Sequence, residues 1–408
     1  MLPDEGRSQG GVVSIRSRFL TMVAVMGAMA LQDCSIDIAK PESPYFDQFK
    51  RTEPEPPAAP SALLEKTVTT YSLPSDVFCL AWSADGKYLA ALFDGHDSRL
   101  TVLETRTGRR LWTLDVVYTY TSAQDCALQF SPDGQTLYTG AVEGSTKRMG
   151  DMLSAIATRD GRVTATLLYD TPQHFASVAQ AAVISRDGRT IFAIPWGQRQ
   201  LVSYDVVAGV VKKLHGFSFS RREQNKGFYP SRLAVDEARD LVIWSHSATV
   251  NVWHLGDGAA VAEFPVFDVY AVAMQLNPRT GEIVVGGTGV VEGWLDVDGR
   301  MVSHRDDTRT LVRGFDPVTG KQLHAYAGPG YSVEGLSVSN DGRFVAASKS
   351  RAIGLTPAYL HLWDAGSGAL LASRSFGRSS VHDVAFSPDG KFLAVAVENA
   401  ILILKRPS

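Results

Sequence analysis

Three cysteines, Cys34, Cys79 and Cys126, carry the most distinctive reactivity in this 408-residue chain. Cys79 and Cys126 sit in short apolar segments, four and five residues before Ser83 and Ser131. An even and an odd offset put the two side chains on opposite strand faces, so strands in sheets packed face to face turn the thiols toward each other. In an oxidising compartment such a pair forms a disulfide. Sheets about 10 Å apart do not meet disulfide geometry by spacing alone, and two buried thiols are the other outcome. Cys34 ends Leu31-Gln-Asp-Cys34, a pattern in which the thiol is acylated, although Asp33 stands where that chemistry wants a small side chain.

The other reactive groups are dispersed. Nine histidines include His96, His174, His246 and His361, none spaced to bring two onto one metal. Asp296-Val-Asp298-Gly299 has half the oxygen ligands of a calcium loop and reads as a hairpin turn. Neither His-Glu-x-x-His nor Gly-x-x-x-x-Gly-Lys occurs. The expectation is a non-enzymatic protein with no catalytic residue, no metal site and no cofactor.

Aromatic and arginine side chains, in contrast, are grouped. Phe217, Phe219, Arg221, Arg222, Phe228 and Tyr229 fall within 13 residues, with Lys226 among them, and Tyr118 and Tyr120 form a smaller pair. These types bury large area at low entropy cost and dominate interface energetics, which points to a protein partner. For any one of them, packing beneath its own loop is the alternative. A nucleic-acid partner is not expected, because 40 basic side chains face 43 acidic ones and the net charge is -3.

Elements must hold these groups in place. With 45% hydrophobic and 20% charged residues the chain is too apolar to be disordered. At roughly 150 residues per domain, length alone suggests two or three domains. Arg16 and Arg18 precede a 13-residue apolar run, Phe19 to Leu31, that ends in Ala28-Met-Ala30. A charged segment, an apolar core and a small-residue cleavage site make residues 1–34 a signal peptide or lipoprotein-type signal. The protein is then exported, periplasmic or bound to the cell envelope, and touches a membrane only through a lipid at Cys34. Retention of the segment would leave a cytoplasmic scaffold. Six prolines between Pro41 and Pro60 mark residues 35–65 as an extended, semi-rigid linker.

Residues 66–408 repeat. Ser83-Ala-Asp-Gly86, Ser131-Pro-Asp-Gly134, Ser185-Arg-Asp-Gly188, Ser339-Asn-Asp-Gly342 and Ser387-Pro-Asp-Gly390 each follow a short apolar strand, with degenerate copies at Asp236 to Asp240 and Asn277 to Gly281. From Ser83 to Ser387 is 304 residues in six steps, about 51 each. A second turn closes the third strand of six copies, as in Leu103-Glu104 to Gly108 and Trp363-Asp364 to Gly368. Positive-φ glycines and β-branched runs make each unit a four-stranded antiparallel meander. The seventh copy stops after three strands at Lys405, and Thr67 to Leu73 can supply the fourth. The expected fold is all-β, a seven-bladed propeller whose ring is closed by an N-terminal strand. Long second turns and links, at Val142 to Met152, Phe217 to Pro230, Thr288 to Thr310 and Lys349 to Tyr359, collect on one face and mark it for binding.

The repeat resembles the WD40 family of β-propellers, in its degenerate bacterial, exported form. Trp363-Asp364 is an intact Trp-Asp pair, and Tyr204-Asp205, Phe315-Asp316 and Trp253-His254 are near matches. The family's Gly-His dipeptide is absent in register. A scaffold that binds proteins is what this resemblance implies. Glu104 to Trp112 and Asp316 to His324 also look like the repeat motif of quinone-dependent propeller enzymes, where a Trp docks between blades, and such an enzyme or cofactor-binding subunit is the alternative. Those enzymes typically have eight blades.

Overall fold

The computed structural model describes residues 64, 66–93, 99–116, 128–139, 151–169, 181–194, 200–216, 230–246, 248–267, 270–288, 290–295, 301–305, 310–350 and 357–406. Among these residues there is no α-helix, and the strands form seven four-stranded antiparallel sheets arranged as blades in a ring. Blade 1 comprises Val77–Trp82, Tyr88–Phe93, Arg99–Glu104 and Arg110–Asp115; blade 2 comprises Leu128–Phe130, Thr136–Thr139, Asp151–Ala157 and Val163–Tyr169. Blade 3 holds Ala181–Ile184, Thr190–Ile194, Gln200–Asp205 and Val210–Gly216, and blade 4 holds Pro230–Asp236, Leu241–His246, Thr249–His254 and Ala260–Pro265. Ala271–Leu276, Ile283–Gly287, Val312–Phe315 and Gln322–Ala325 make blade 5; Val333–Val338, Phe344–Lys349, Ala358–Asp364 and Leu370–Gly377 make blade 6. Blade 7 takes Val381–Phe386, Phe392–Val397 and Ala400–Lys405 from the chain's end and Thr67–Ser72 from its beginning, with Tyr71 opposite Ile401 and Ser72 opposite Ala400. The expected ring closure is therefore observed.

The Ser-x-Asp-Gly motif is a hydrogen-bonded unit. In the turn at Ser131, the serine hydroxyl donates to Asp133 at 2.6 Å and accepts the Thr136 amide at 2.9 Å, while Asp133 accepts the Gln135 amide at 2.9 Å. The same bonds recur at Ser83, Ser185, Ser339 and Ser387. Asp133 and Asp187 are held below the usual carboxylate range, first by the serine hydroxyl and then by the backbone amide. Where blade 4 lacks the glycine, Asp240 itself takes the left-handed conformation, at φ 57°.

Spacing between strands differs sharply between the two ends of the ring. First and third turns always take four to six residues, from 206–209 to 277–282. On the other face the second turns range from two residues at 247–248 to 24 at 288–311. Length variation thus lies on one face. One part of that expectation needs correction: Thr288 to Thr310 is not a plain loop, because Val290–Leu295 and Met301–Arg305 pair as an extra two-stranded hairpin. Asp296 to Gly299 lie between its strands and outside the described residues.

Blades pack through the apolar faces of their sheets. Ile243, Val250, Val284, Leu311, Val345 and Trp363, none more than 1% exposed, belong to one continuous core through blades 4, 5 and 6. Aromatic residues on the outer strands of blades 1 and 7 lock each of them to the next blade. The Trp112 indole of blade 1 donates to Thr158 O of blade 2 at 2.7 Å, and Tyr71 of the closing strand donates to Thr105 O of blade 1 at 2.5 Å. Gly161 permits the first contact, since a Cβ there would lie 2.8 Å from the Trp112 ring.

Candidate functional site

Phe217, Phe219, Arg221, Arg222, Phe228, Tyr229, Tyr118 and Tyr120 lie outside the described residues, as do Cys34 and Cys126. The strand ends that bracket them are described: Gly216 and Pro230 on one side, Asp115 and Leu128 on the other. Both pairs are the end of an outer strand and the start of the next inner strand, and so open on the long-loop face. Cys79 is disulfide-bonded and 5% exposed, within the inner strand of blade 1. The inner strand of blade 2 starts at Leu128, two residues after Cys126.

Inner strands have one edge without a partner strand, and their amides need acceptors in a place water reaches poorly. Side chains of the preceding blade provide them. Gln129 Oε1 accepts the Ile184 amide at 3.0 Å, Gln275 Oε1 the Val338 amide at 2.7 Å, and Ser337 Oγ the Phe386 amide at 3.1 Å. At the seam Asp383 Oδ2 accepts the Leu80 amide at 2.9 Å, and the Trp82 indole donates to Ala385 O at 3.2 Å. None of these side chains was singled out from sequence. Their only signal is a polar residue inside an otherwise apolar first strand.

Those ties surround a cavity of about 520 Å³ at the short-turn end of the channel. Trp82, Leu128, Phe130 and Phe386 wall it, Gln129 and Gln275 cross it, and Pro132, Arg186, Asn340 and Pro388 form its rim. Nearer the long-loop end, the inner strands of blades 7 and 6 carry Asp383 and Glu334. Desolvation by burial pushes each of these carboxyls up to about 7. The charge of Arg232 opposes the rise at Asp383. His382 is depressed by desolvation, and its Nε2 has no hydrogen-bond partner. Among the described residues no three His, Cys, Asp or Glu side chains group as metal ligands.

Two further polar clusters are structural ties. In blade 6, Trp363 Nε1, Lys349 Nζ and His361 Nε2 meet three successive carbonyls, those of Ala327, Gly328 and Pro329, at 2.8, 2.6 and 2.7 Å. His361, a dispersed histidine in the sequence, is buried, and desolvation together with Lys349 brings it down to about 3, so it is neutral with its hydrogen on Nε2. Trp363 thereby pins the link between blades 5 and 6. In blade 5, Glu282 Oε1 lies 2.9 Å from His324 Nδ1 and 3.3 Å from the Tyr326 hydroxyl, while His324 Nε2 and that hydroxyl reach Gly366 O and Ala365 O of blade 6. Desolvation by burial raises the Glu282 carboxyl, and the hydrogen bond to His324 works against that rise. With both ring nitrogens engaged and Glu282 1% exposed, the trio clasps two blades.

Residues 65–102 and 371–403 match the WD40 family, described as the WD domain, G-beta repeat. Both matches flank the seam, covering the closing strand with the start of blade 1 and the end of blade 6 with blade 7. No curated relative matches the chain. Among solved structures, the β-propeller domain of Cps50 (Swd1) from Myceliophteria thermophila superposes with a TM-score of 0.61, covering 84% of this chain and 99% of that domain at 14% identity. Seven blades of four strands, a ring closed by the amino-terminal strand and repeat matches on both sides of the closure make this chain a WD40-like β-propeller.

Proposed function

We propose that this propeller is a non-enzymatic scaffold, exported to the periplasm or cell envelope, that binds a protein partner through its long-loop face. WD40 propellers typically serve as scaffolds for other proteins, and the observation that carries the reading here is the asymmetry of the ring. Every turn on one face is fixed at four to six residues, while the opposite face takes all the variation in length and holds the bracketing ends of the aromatic and arginine segments. Export is supported by the disulfide at Cys79, because such bonds persist in oxidising compartments. The apolar run before Leu31 supports it independently.

A quinone-dependent enzyme has less support. The Trp112 indole is engaged with Thr158 as an interblade tie, and the ring has seven blades where those enzymes typically have eight. Proximity labelling in cells tests the scaffold. Charge reversal at Arg221 and Arg222 is expected to abolish labelling of the principal partner in the envelope. An unchanged labelled set overturns the assignment of that face.

A further inference from the structure

We infer that the seam edge of the short-turn face, where blades 7 and 1 meet, docks on an anionic lipid surface, a contact beyond any lipid at Cys34. This edge lies at the opposite end of the ring from the long loops. Ring closure is what brings its cations together. Thr67 pairs with Leu404 and Ser72 with Ala400, so the closing strand starts at the short-turn end, where the last strand of the chain also stops. Lys66 and Lys405 meet there, the Lys405 amide donating to Lys66 O at 3.3 Å. Tyr71 ties the same strand to Thr105 O, which sets Arg106 beside it, and Val68, Asp85, Arg106 and Asp389 line one cleft between the two blades.

Charge is distributed unevenly around this face. In the first and third turns of blades 7 and 1, with the strand residues that flank them, eight cations stand against three acids among the described residues. All three acids are ion-paired: Asp85 with Lys87 at 2.8 Å, Asp389 with Lys391 at 3.3 Å and Glu104 with Arg109 at 3.9 Å. Lys66, Arg106, Arg110 and Lys405 are exposed and have no acidic partner among the described residues. Counting Glu65 and the terminal carboxylate, both outside the described residues, still leaves an excess of three. Blade 2 is balanced, with Asp133 and Asp160 against Arg159 and Arg162. At the same positions of blades 3 to 6, six cations stand against ten acids, one of them the buried Glu282. The face is positive at the seam and negative across from it.

A lipid surface fits both the charge and the place. The potential of an anionic bilayer falls off within a Debye length of about 8–10 Å, so cations gathered at one edge feel it together while those around the ring do not. Val68, 51% exposed amid these cations, supplies the apolar contact that binding at headgroup level uses. The same edge receives the amino-terminal chain, which carries the apolar run Phe19 to Leu31 and Cys34. Docked in this way, the ring turns its long-loop face away from the lipid.

The test is co-sedimentation of the full chain with vesicles of phosphatidylcholine, alone or with about one-third phosphatidylglycerol. The apolar run is present in every arm, so differences report the charged edge. Binding to the anionic vesicles is expected to exceed binding to the neutral ones by about tenfold or more and to fall in high salt. Lys66→Gln, Arg106→Gln, Arg110→Gln and Lys405→Gln together should remove most of that excess. Arg186→Gln, Arg189→Gln, Arg279→Gln and Lys321→Gln remove the same charge from blades 3 and 5 and should leave it intact. All eight side chains are exposed, so unchanged melting temperatures show that both variants fold. Equal binding to the two kinds of vesicle, or an excess that the seam variant retains or that both variants lose alike, overturns the docking edge. A single-stranded oligonucleotide bound as tightly as the anionic vesicles, and released by the seam variant, overturns the lipid assignment. Vesicle binding is read in vitro, so its outcome is independent of where the chain resides and of the long-loop partner.

Discussion

Asp383 accepts the backbone amide of Leu80 at 2.9 Å, joining inner strands 303 residues apart at the point where the ring closes. At three other joints glutamine or serine does this work; at the seam a carboxylate does, and protein around it raises its pKa to about 7. A raised carboxyl binds its proton more tightly when folded than when unfolded. Stability is therefore greatest in acid and is lost as pH rises from about 4, the unfolded value, toward 7. Glu334 acts in the same direction, while the depressed His382 acts oppositely and is common to both proteins compared. The paired variant Asp383→Asn and Glu334→Gln should gain on the wild type across that window by about 2 °C or more in melting temperature, the shift expected of roughly 1 kcal/mol. Parallel melting curves from pH 4.5 to 8.5 would refute the assignment.

Closing the ring with Thr67–Ser72 makes Tyr71 a seam residue, packed under the third turn of blade 1 and bonded to Thr105 O. Tyr71→Phe keeps the packing and should cost about 1 kcal/mol, whereas Tyr71→Ala should cost about 3 kcal/mol or more. Urea unfolding separates the two, and equal midpoints would show that the seam does not depend on this ring.

Gly314 lies against the Glu282 carboxyl, and a methyl group there would overlap it. Gly314→Ala is thus expected to displace Glu282 from His324 and Tyr326 and to unfasten blade 5 from blade 6. Pairing it with Glu282→Ala, which vacates the space, should recover part of the loss. Additive losses in thermal unfolding would contradict the clasp.

Cys79 is bonded, and neighbouring inner strands make Cys126 the expected partner. Peptide mapping without reductant should yield a Cys79–Cys126 cross-link, and reduction should lower stability by up to about 4 kcal/mol for a loop of this length. A Cys34 cross-link, or two alkylatable thiols at positions 79 and 126, is the contrary result.

Intact mass of the protein recovered from the cell envelope should place the mature amino terminus at Leu31. A start at Cys34 with added lipid mass would give the anchored form of the same exported protein. A chain starting at Met1 in the cytosolic fraction would end the export reading.

Blade number and closure were legible because a Ser-x-Asp-Gly turn is specified locally: serine, aspartate and glycine satisfy one another within six residues. The insert in blade 5 was misread as loop. Val290–Leu295 lacks the strict apolar–polar alternation of a half-buried strand, and its pairing with Met301–Arg305 is seen only in the folded chain. Residues of the channel were missed for a related reason, since Gln129, Gln275 and Asp383 find their acceptor roles in neighbouring blades rather than in their own turns.

The repeat spacing by itself determined a ring of seven four-stranded blades, and it replaced the two or three domains that length suggested with a single propeller. Tertiary structure decided which polar side chains bridge blades and which carboxyls are shielded from water. The physical reason is range. Turn chemistry and strand alternation act within a few residues, whereas a carboxyl's pKa or a glutamine's free N–H depends on blades brought together from as far as 303 positions away.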